Sequence, residues 1–484
     1  VHRGANNAPC VAGAAARPQS AILEEHFARY PDAPREVVIK SDLLRIGQHF
    51  TDAALNAAAG SLVKSYRLFS YDFVPMEALA QGAARRAPEH FFILGGQYGL
   101  RPVMVQTSLS PDSPYVVDVI DGRLVLRSGG EILSDVRFHA APPYYSGKTA
   151  DGKLYHEIIA FGHFITAFRN CQFWGRQEEC GFCDINSNAR QVKRSRDFTL
   201  TAPIKRIDHI LEVARAVADD ANTHYGGNVP LAFLITGGTI KKTLHGKTED
   251  EFYGEYVEAL KWDGPRRFIN LQTNAKPKDV LRRYRALGLD SHHADMEVWD
   301  RRLFEWICPG KAKRVGWDNW VRWLIDSVDV FGEGAVKPLF VAGAEMARPH
   351  GFRTVAEAIA STTEAMEHLM SRGVVVRFNQ WRREPSTFLV REHEQPPVPL
   401  DYYVQLLGKR YEIWKKYRLP LPNQHLLLPV MRHIGISHAA HEDYIHLMEG
   451  TYPSDIVAQL ERHCVPWEGL PCGPHPAASS SGNP

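Results

Sequence analysis

Ile158-Ile-Ala-Phe-Gly-His-Phe-Ile-Thr-Ala-Phe168-Arg-Asn-Cys171-Gln-Phe-Trp-Gly-Arg-Gln-Glu-Glu-Cys180-Gly-Phe-Cys183 decides how this chain is read. Its first half, Ile158–Phe168, is an apolar run of strand composition, and its second half spaces three cysteines as C-x8-C-x2-C. Thiolates are soft ligands, and three within one loop can converge on a metal or an iron–sulfur cluster. A structural zinc site wants a fourth Cys or His at short range. None stands within the loop, although His163 lies a little upstream. Three thiolates leave a [4Fe-4S] cluster one iron open to a ligand. The place is also telling, because α/β enzymes put their chemistry at the C-terminal ends of their strands.

Downstream of the cysteines, strand-like and helical patterns alternate. Strands over Leu231–Thr236, Phe268–Gln272, Ala294–Trp299, Val336–Ala342 and Val374–Phe378 interleave with helices over Ile207–Asp219, Asp250–Trp262, Pro277–Leu287, Trp317–Phe331 and Val355–Ser371. This rhythm predicts a parallel sheet, and six strands suit an α/β fold of the partial (β/α)6 TIM-type barrel over residues 156–395. Upstream, helical stretches (Ala21–Tyr30, Asp52–Ser65) precede strand-like Phe91–Leu94, Tyr115–Ile120 and Leu124–Leu126, with Asp121-Gly122 as a hairpin signal. Residues 21–155 therefore read as an N-terminal α+β extension. Residues 396–464 read as a C-terminal helical region, with a helix over Asp401–Tyr417 and a His-rich stretch to about Gly450. Residues 1–20 and 465–484 read as a disordered leader and tail. No initiator Met opens the chain, which reads as a fragment or processed form.

Composition narrows the class. Of 484 residues, 44% are hydrophobic and 23% charged, enough for a large core. A net charge of +2, from 57 basic and 55 acidic residues, gives no clear nucleic-acid patch, and no apolar run is long enough to span a bilayer. Seven cysteines in a chain this long make a poor disulfide framework, so a cytoplasmic location is expected.

The cysteine segment resembles that of the radical S-adenosylmethionine (SAM) superfamily, over roughly residues 156–395. Family members carry three cysteines after the first barrel strand, with an aromatic before the third, and Phe182 holds that position. The first spacing departs from the family, eight residues in place of the usual three. The resemblance implies a [4Fe-4S] cluster on Cys171, Cys180 and Cys183, with Phe182 packed beside the adenine of SAM. It assigns Thr236-Gly237-Gly238-Thr239 to the turn that meets the SAM amino group, the glycines leaving room for close approach. A Glu commonly follows the glycines, and Thr239 stands there instead. Glu297, in Met296-Glu297-Val298-Trp299, matches the polar residue held against the ribose. By likeness to biotin-synthase-like members, Arg322 would clamp the SAM carboxylate, with Arg314 in reserve. Gly343, in Leu339-Phe-Val-Ala-Gly343-Ala-Glu345, would admit the adenine to backbone groups, and Glu345 would cap the following turn. Substrate-facing groups are expected in Phe378-Asn-Gln-Trp-Arg-Arg-Glu-Pro385-Ser-Thr387.

The implied function is reductive cleavage of SAM to a 5′-deoxyadenosyl radical that takes hydrogen from a small-molecule substrate in biosynthesis. Such chemistry needs an electron donor such as flavodoxin or ferredoxin. Two rivals stay open, a cobalamin-dependent radical SAM methyltransferase and a non-catalytic protein stabilised by a metal or cluster. His433, His438, His441 and His446 suit no common helical ligand pair, and Cys308, Cys464 and Cys472 suggest an auxiliary cluster only weakly.

Overall fold

Asp121 and Gly122 both take positive φ, 48° and 73°, which lets a two-residue turn follow the right-handed twist of its strands. They join β4 (Tyr115–Ile120) to β5 (Arg123–Ser128), with Ile120 opposite Arg123. Around this hairpin lie β1 (His49–Phe50), β2 (His90–Gly95), β3 (Leu100–Gln106) and β6 (Glu131–Phe138). The six form one sheet in the order β1-β4-β5-β6-β2-β3, antiparallel except for the parallel pair β1–β4. The computed structural model describes residues 17–64, 69–75, 87–194, 203–225, 231–264, 267–420 and 439–450. The first described helix is Gln19–Arg29, which starts inside the stretch expected to be a disordered leader. Residues 1–16 and the expected tail lie outside the described residues. The helix from Asp52 stops at Ala57, short of the expected Ser65.

The second half alternates as the sequence predicts. Strands β7 (Phe164–Phe168), β8 (Leu231–Gly237), β9 (Arg267–Gln272) and β10 (Ser291–His293) form a parallel sheet in the order β10-β9-β8-β7. β11 (Leu339–Ala342) and β12 (Arg377–Gln380) form a second, two-stranded parallel sheet. Isolated parallel bridges at His292–Val336 and Glu297–Phe340 run between the two sheets. The result is mixed α/β, and the described strands do not close into a barrel. Threonine capping boxes start two of the crossover helices, Thr248 with Glu251 ahead of Glu249–Trp262 and Thr354 with Glu357 ahead of Val355–Met370.

One strand is displaced from its expected place. The ladder occupies Ser291–His293, not Ala294–Trp299. Two local features end it: the Asp295 carboxylate takes the N–H of Leu339 at 2.9 Å, and Glu297 sits at φ 68°. A side-chain acceptor and a left-handed residue both interrupt a regular ladder.

Two cores result. One lies under β7–β9 and the helices Ile207–Tyr225 and Glu249–Trp262. The other is continuous from the N-terminal sheet and the helix Arg35–Ile46 to β11, β12 and the helices Leu400–Tyr417 and His441–Glu449. The extension is therefore built into the second half of the sheet region. Lys40 joins the two parts, donating to Asp443 at 2.5 Å with both side chains fully buried. Removing one partner of a buried ion pair leaves a charge without its counter-ion, at a cost of about 3–5 kcal/mol. Lys40→Met should therefore lower the urea midpoint of unfolding, followed by tryptophan fluorescence. An unchanged midpoint would show that the pair does not hold the two parts together. No helix among the described residues is long and apolar enough to cross a membrane.

Candidate active site at the ends of the parallel strands

The thirteen-residue cysteine loop leaves β7 and is stitched down by backbone hydrogen bonds on three sides. Gln172 N–H donates to Thr239 O (2.8 Å), Gly181 N–H to Ile307 O (2.7 Å), and Leu389 N–H to Gly181 O (2.9 Å). Just past the loop, on the helix Ile185–Arg194, the Asn186 amide bridges back to the loop's start, accepting from Cys171 N–H at 2.9 Å and donating to Phe173 O at 3.0 Å. Cys183 N–H closes the C-x2-C turn on Cys180 O (3.0 Å). A long loop with these ties is fixed, so the wide first spacing still delivers its thiols to one place.

Cys171, Cys180 and Cys183 all open onto a single cavity, of about 310 Å³, at the C-terminal ends of the strands. That volume lies within the range of small-molecule sites, roughly 300–1,000 Å³. The sulfurs are close enough that Cys180 raises the pKa of Cys171, and Cys180 and Cys171 raise that of Cys183. Burial pushes the Cys171 thiol up to about 11, against hydrogen bonds from the amides of Phe173 and Thr239 and the Thr239 hydroxyl. Burial likewise raises Cys183, which receives the Ile185 amide. Buried thiols fed by N–H and O–H donors are set up to be thiolates once a cationic centre is present. Among the described residues, no three His, Cys, Asp or Glu side chains surround a point that one metal ion could fill. A cubane does not ask for that, since each thiolate takes a different iron. His163, the nearest rival fourth ligand, faces the Ala232 carbonyl (3.0 Å) and stacks on Phe233. The structure thus brings to one cavity the three cysteines that the sequence resemblance groups together.

The sequence is similar to bacteriochlorophyllide c C-7(1)-hydroxylase of Chlorobaculum limnaeum, 26% identical over 310 residues, 61% of this chain and 72% of that protein. No family's sequence profile matches the chain. Solved structures with partial likeness include methylornithine synthase (TM-score 0.36, 12% identity, 55% of this chain and 71% of that one). Another is HydG, a maturase of the [FeFe]-hydrogenase (TM-score 0.36, 9% identity, 57% and 56%).

The expected radical SAM residues divide on placement. Phe182, Gly237, Gly238, Thr239 and Glu297 line the cavity with the cysteines. The glycines, however, face protein. A Cβ on Gly238 would overlap the Asn170 carbonyl oxygen and lie 2.5 Å from Cys171 Cα, and one on Gly237 would lie 2.6 Å from Phe168 O and Tyr253 Oη. They are small because the cysteine loop crosses directly over the β8 turn. Arg322 does not line the cavity: it is exposed on Trp317–Phe331 and bonds Asn319. Arg314, in reserve, is also exposed and donates to the carbonyls of Ile240 and Lys241. Gly343 does not line the cavity either; its amide donates to Glu345, which also accepts from Thr362 and Tyr402. Of the auxiliary ligands that the sequence suggests weakly, Cys308 is buried against Cys180 and does not reach the cavity, while Cys464 and Cys472 lie outside the described residues, as do His433 and His438.

A cation beside Glu297 that faces the cavity is Lys311, which the sequence reading did not select. It donates to Glu297 (2.5 Å) and to Asp295 O (2.8 Å), over the Trp320 ring at 4.8 Å. Burial disfavours its ammonium, yet Glu297, Cys180, Cys308 and Asp295 together raise its pKa. Burial pushes Glu297 up to about 7, with Lys311 opposing. A carboxylate does stand near Thr239: Glu249 accepts from Asn274 (3.2 Å) and Lys276 (2.5 Å), and Asn274 donates to Thr239 (3.1 Å). The N-terminal extension also reaches the site. Phe69 and Tyr71 line it, held by Ser70 N–H to Asp184 (3.0 Å) and Tyr71 N–H to Glu384 (3.1 Å). Opposite, Glu442 and His446 of the C-terminal helix complete the wall.

Proposed function

We propose that this chain cleaves SAM reductively and uses the product to take hydrogen from a carbon of a small molecule bound in the same cavity. Three thiols opening side by side onto that cavity carry the reading. Cys171, Cys180 and Cys183 would hold a [4Fe-4S] cluster, and Phe182, Thr239, Glu297 and Lys311 would hold SAM. When bound, that pair supplies a one-electron cleavage yielding a 5′-deoxyadenosyl radical, able to attack an unactivated C–H bond. The protein's part is placement and exclusion of water. The Asn186 bridge fixes the cysteine loop, while the Lys311–Glu297 pair presents one cation and one acceptor to the ligand. Phe69 and Tyr71 cover one side of the cavity. The six parallel strands, taken as one open partial barrel, put all of these groups at one mouth. Likeness to a hydroxylase of bacteriochlorophyllide c supports a C–H bond as the point of attack.

Reduced, reconstituted protein given SAM should release 5′-deoxyadenosine and methionine, measured by chromatography. Protein with full iron and no 5′-deoxyadenosine would end this reading. Lys311→Met should weaken SAM binding by roughly thirtyfold in calorimetry, about 2 kcal/mol, as expected when a buried charge loses its partner. Arg322→Ala should leave SAM affinity near wild type. The reverse result would return the clamp to Arg322.

A further inference from the structure

Behind the cysteine loop a fourth sulfur meets one of the three from outside the cavity. Residues 178–181 run antiparallel to residues 307–310. Gly181 N–H donates to Ile307 O at 2.7 Å, and Gly310 N–H donates to Glu178 O at 3.1 Å. These two bonds bracket Cys180 and Cys308 and set them opposite each other. A bond from the residue after one member to the residue before the other marks the narrow kind of antiparallel pair, with Cα atoms roughly 4.5 Å apart and side chains close. Pro309 has no N–H to complete the pair on its other side, and the next bond comes from Gly310.

The surroundings of Cys308 leave its thiol one use. It has no exposed surface and no share of the cavity, and it belongs to the apolar core that holds Leu303, Phe304 and Ile307. Its backbone is spent on the two helices it joins, Arg301–Ile307 and Pro309–Arg314. The Cys308 N–H donates to Phe304 O at 2.9 Å, and Cys308 O accepts from Ala312 N–H at 3.0 Å. The hydrogen bond of its sulfur is with the sulfur of Cys180. A thiolate bound to iron has no hydrogen to give, so in cluster-bearing protein the donor is Cys308. Cys171 and Cys183 are served by backbone amides, those of Phe173 and Thr239 for the first and of Ile185 for the second.

We propose that Cys308 is a positioning residue for the cluster, its S–H bonded to the sulfur of Cys180 and easing the cluster's reduction. A hydrogen bond to a ligand sulfur stabilises the negative charge added on reduction, which raises the potential. No water reaches Cys308 to compete, so even a weak S–H donor counts. The inference rests on the reading of Cys171, Cys180 and Cys183 as cluster ligands, and it gives a buried cysteine outside that set a part in the one-electron step.

Spectroscopic redox titration of reconstituted protein tests it. Cys308→Ala should keep its iron and show a midpoint potential below that of wild type. Cys308→Ser keeps an O–H donor at the same place and should stay nearer to wild type than Cys308→Ala. An unchanged potential in Cys308→Ala would overturn the proposal. So would an equal fall in both variants, which lost packing alone explains, or loss of iron from a folded Cys308→Ala protein. A second measurement needs no stable Ala variant. The infrared S–H stretch that wild type shows and Cys308→Ser lacks should fall in frequency when the cluster is assembled, because Cys180 then becomes an anionic acceptor. A band that does not move would show that the Cys308 hydrogen points elsewhere. Wild type that takes up no cluster iron would defeat the ligand reading and this inference with it, whereas a full cluster indifferent to Cys308 defeats this inference alone.

Discussion

Cys183→Ala is expected to lose nearly all cluster iron, from about four atoms per chain to below one, together with 5′-deoxyadenosine formation. The Cys183 thiol is buried, takes the Ile185 amide and shares a cavity wall with Cys171 and Cys180. Two remaining thiolates cannot hold a cubane firmly, because a corner iron then relies on solvent. Cys171→Ala and Cys180→Ala should behave alike. The informative control is Cys308→Ala. Its sulfur meets that of Cys180, so distance alone does not exclude it as a ligand. Burial does, since Cys308 has no exposed surface and no share of the cavity. Cys308→Ala should therefore keep its iron. Loss of iron in Cys308→Ala, with iron retained in Cys171→Ala, would replace Cys171 by Cys308 in the ligand set.

How far these features could be read from sequence depends on the kind of signal. Strand–helix alternation was legible because buried parallel strands are apolar on both faces and their helices carry a 3.6-residue stripe. The helix Trp317–Phe331 has the expected bounds. Its stripe also held a warning about Arg322. Trp320, Val321, Leu324 and Ser327 are its buried face, and Arg322 falls off that face. Choosing a cation by its offset from a strand ignored this periodicity. Lys311 was harder to see. It lies in the six-residue helix Pro309–Arg314 with Lys313 and Arg314, too short for periodicity to say which cation turns inward. Arg377 and Asn379, which also line the cavity, did leave a trace, as polar residues on either side of Phe378 after the apolar run Val374–Val376. The roles of Tyr71, Glu442 and His446 depend on contacts across hundreds of residues, which no local pattern records.

Gly238→Val separates two accounts of the same motif. If the glycine pair exists to let SAM approach, the variant should keep its cluster and lose only SAM binding. The geometry gives a different expectation. Position 238 faces Asn170 and Cys171, where even a Cβ has no room, and Gly238 N–H is already bonded to Phe168 O at 3.0 Å. A β-branched side chain must push the cysteine loop off the β8 turn. That shift strains the Gln172–Thr239 bond and moves the Cys171 sulfur from the Thr239 amide and hydroxyl that bond it. Gly238→Val should thus lose iron and SAM binding together, and Gly238→Ala should show the same defect in weaker form. Iron and sulfide assays, with calorimetry on whatever cluster-bearing fraction remains, give the answer. Full iron with abolished SAM binding would restore the ligand-approach account. Thr239→Val sharpens the comparison. It keeps the backbone donor to Cys171 and removes only the hydroxyl, one hydrogen bond of about 1 kcal/mol, so its cluster should assemble. Fewer hydrogen bonds to a ligand sulfur make the cluster harder to reduce, so the midpoint potential of Thr239→Val should fall below that of wild type in a spectroscopic titration. An unchanged potential would place the Thr239 hydroxyl on Asn274 alone, with the Cys171 sulfur left to its two amides.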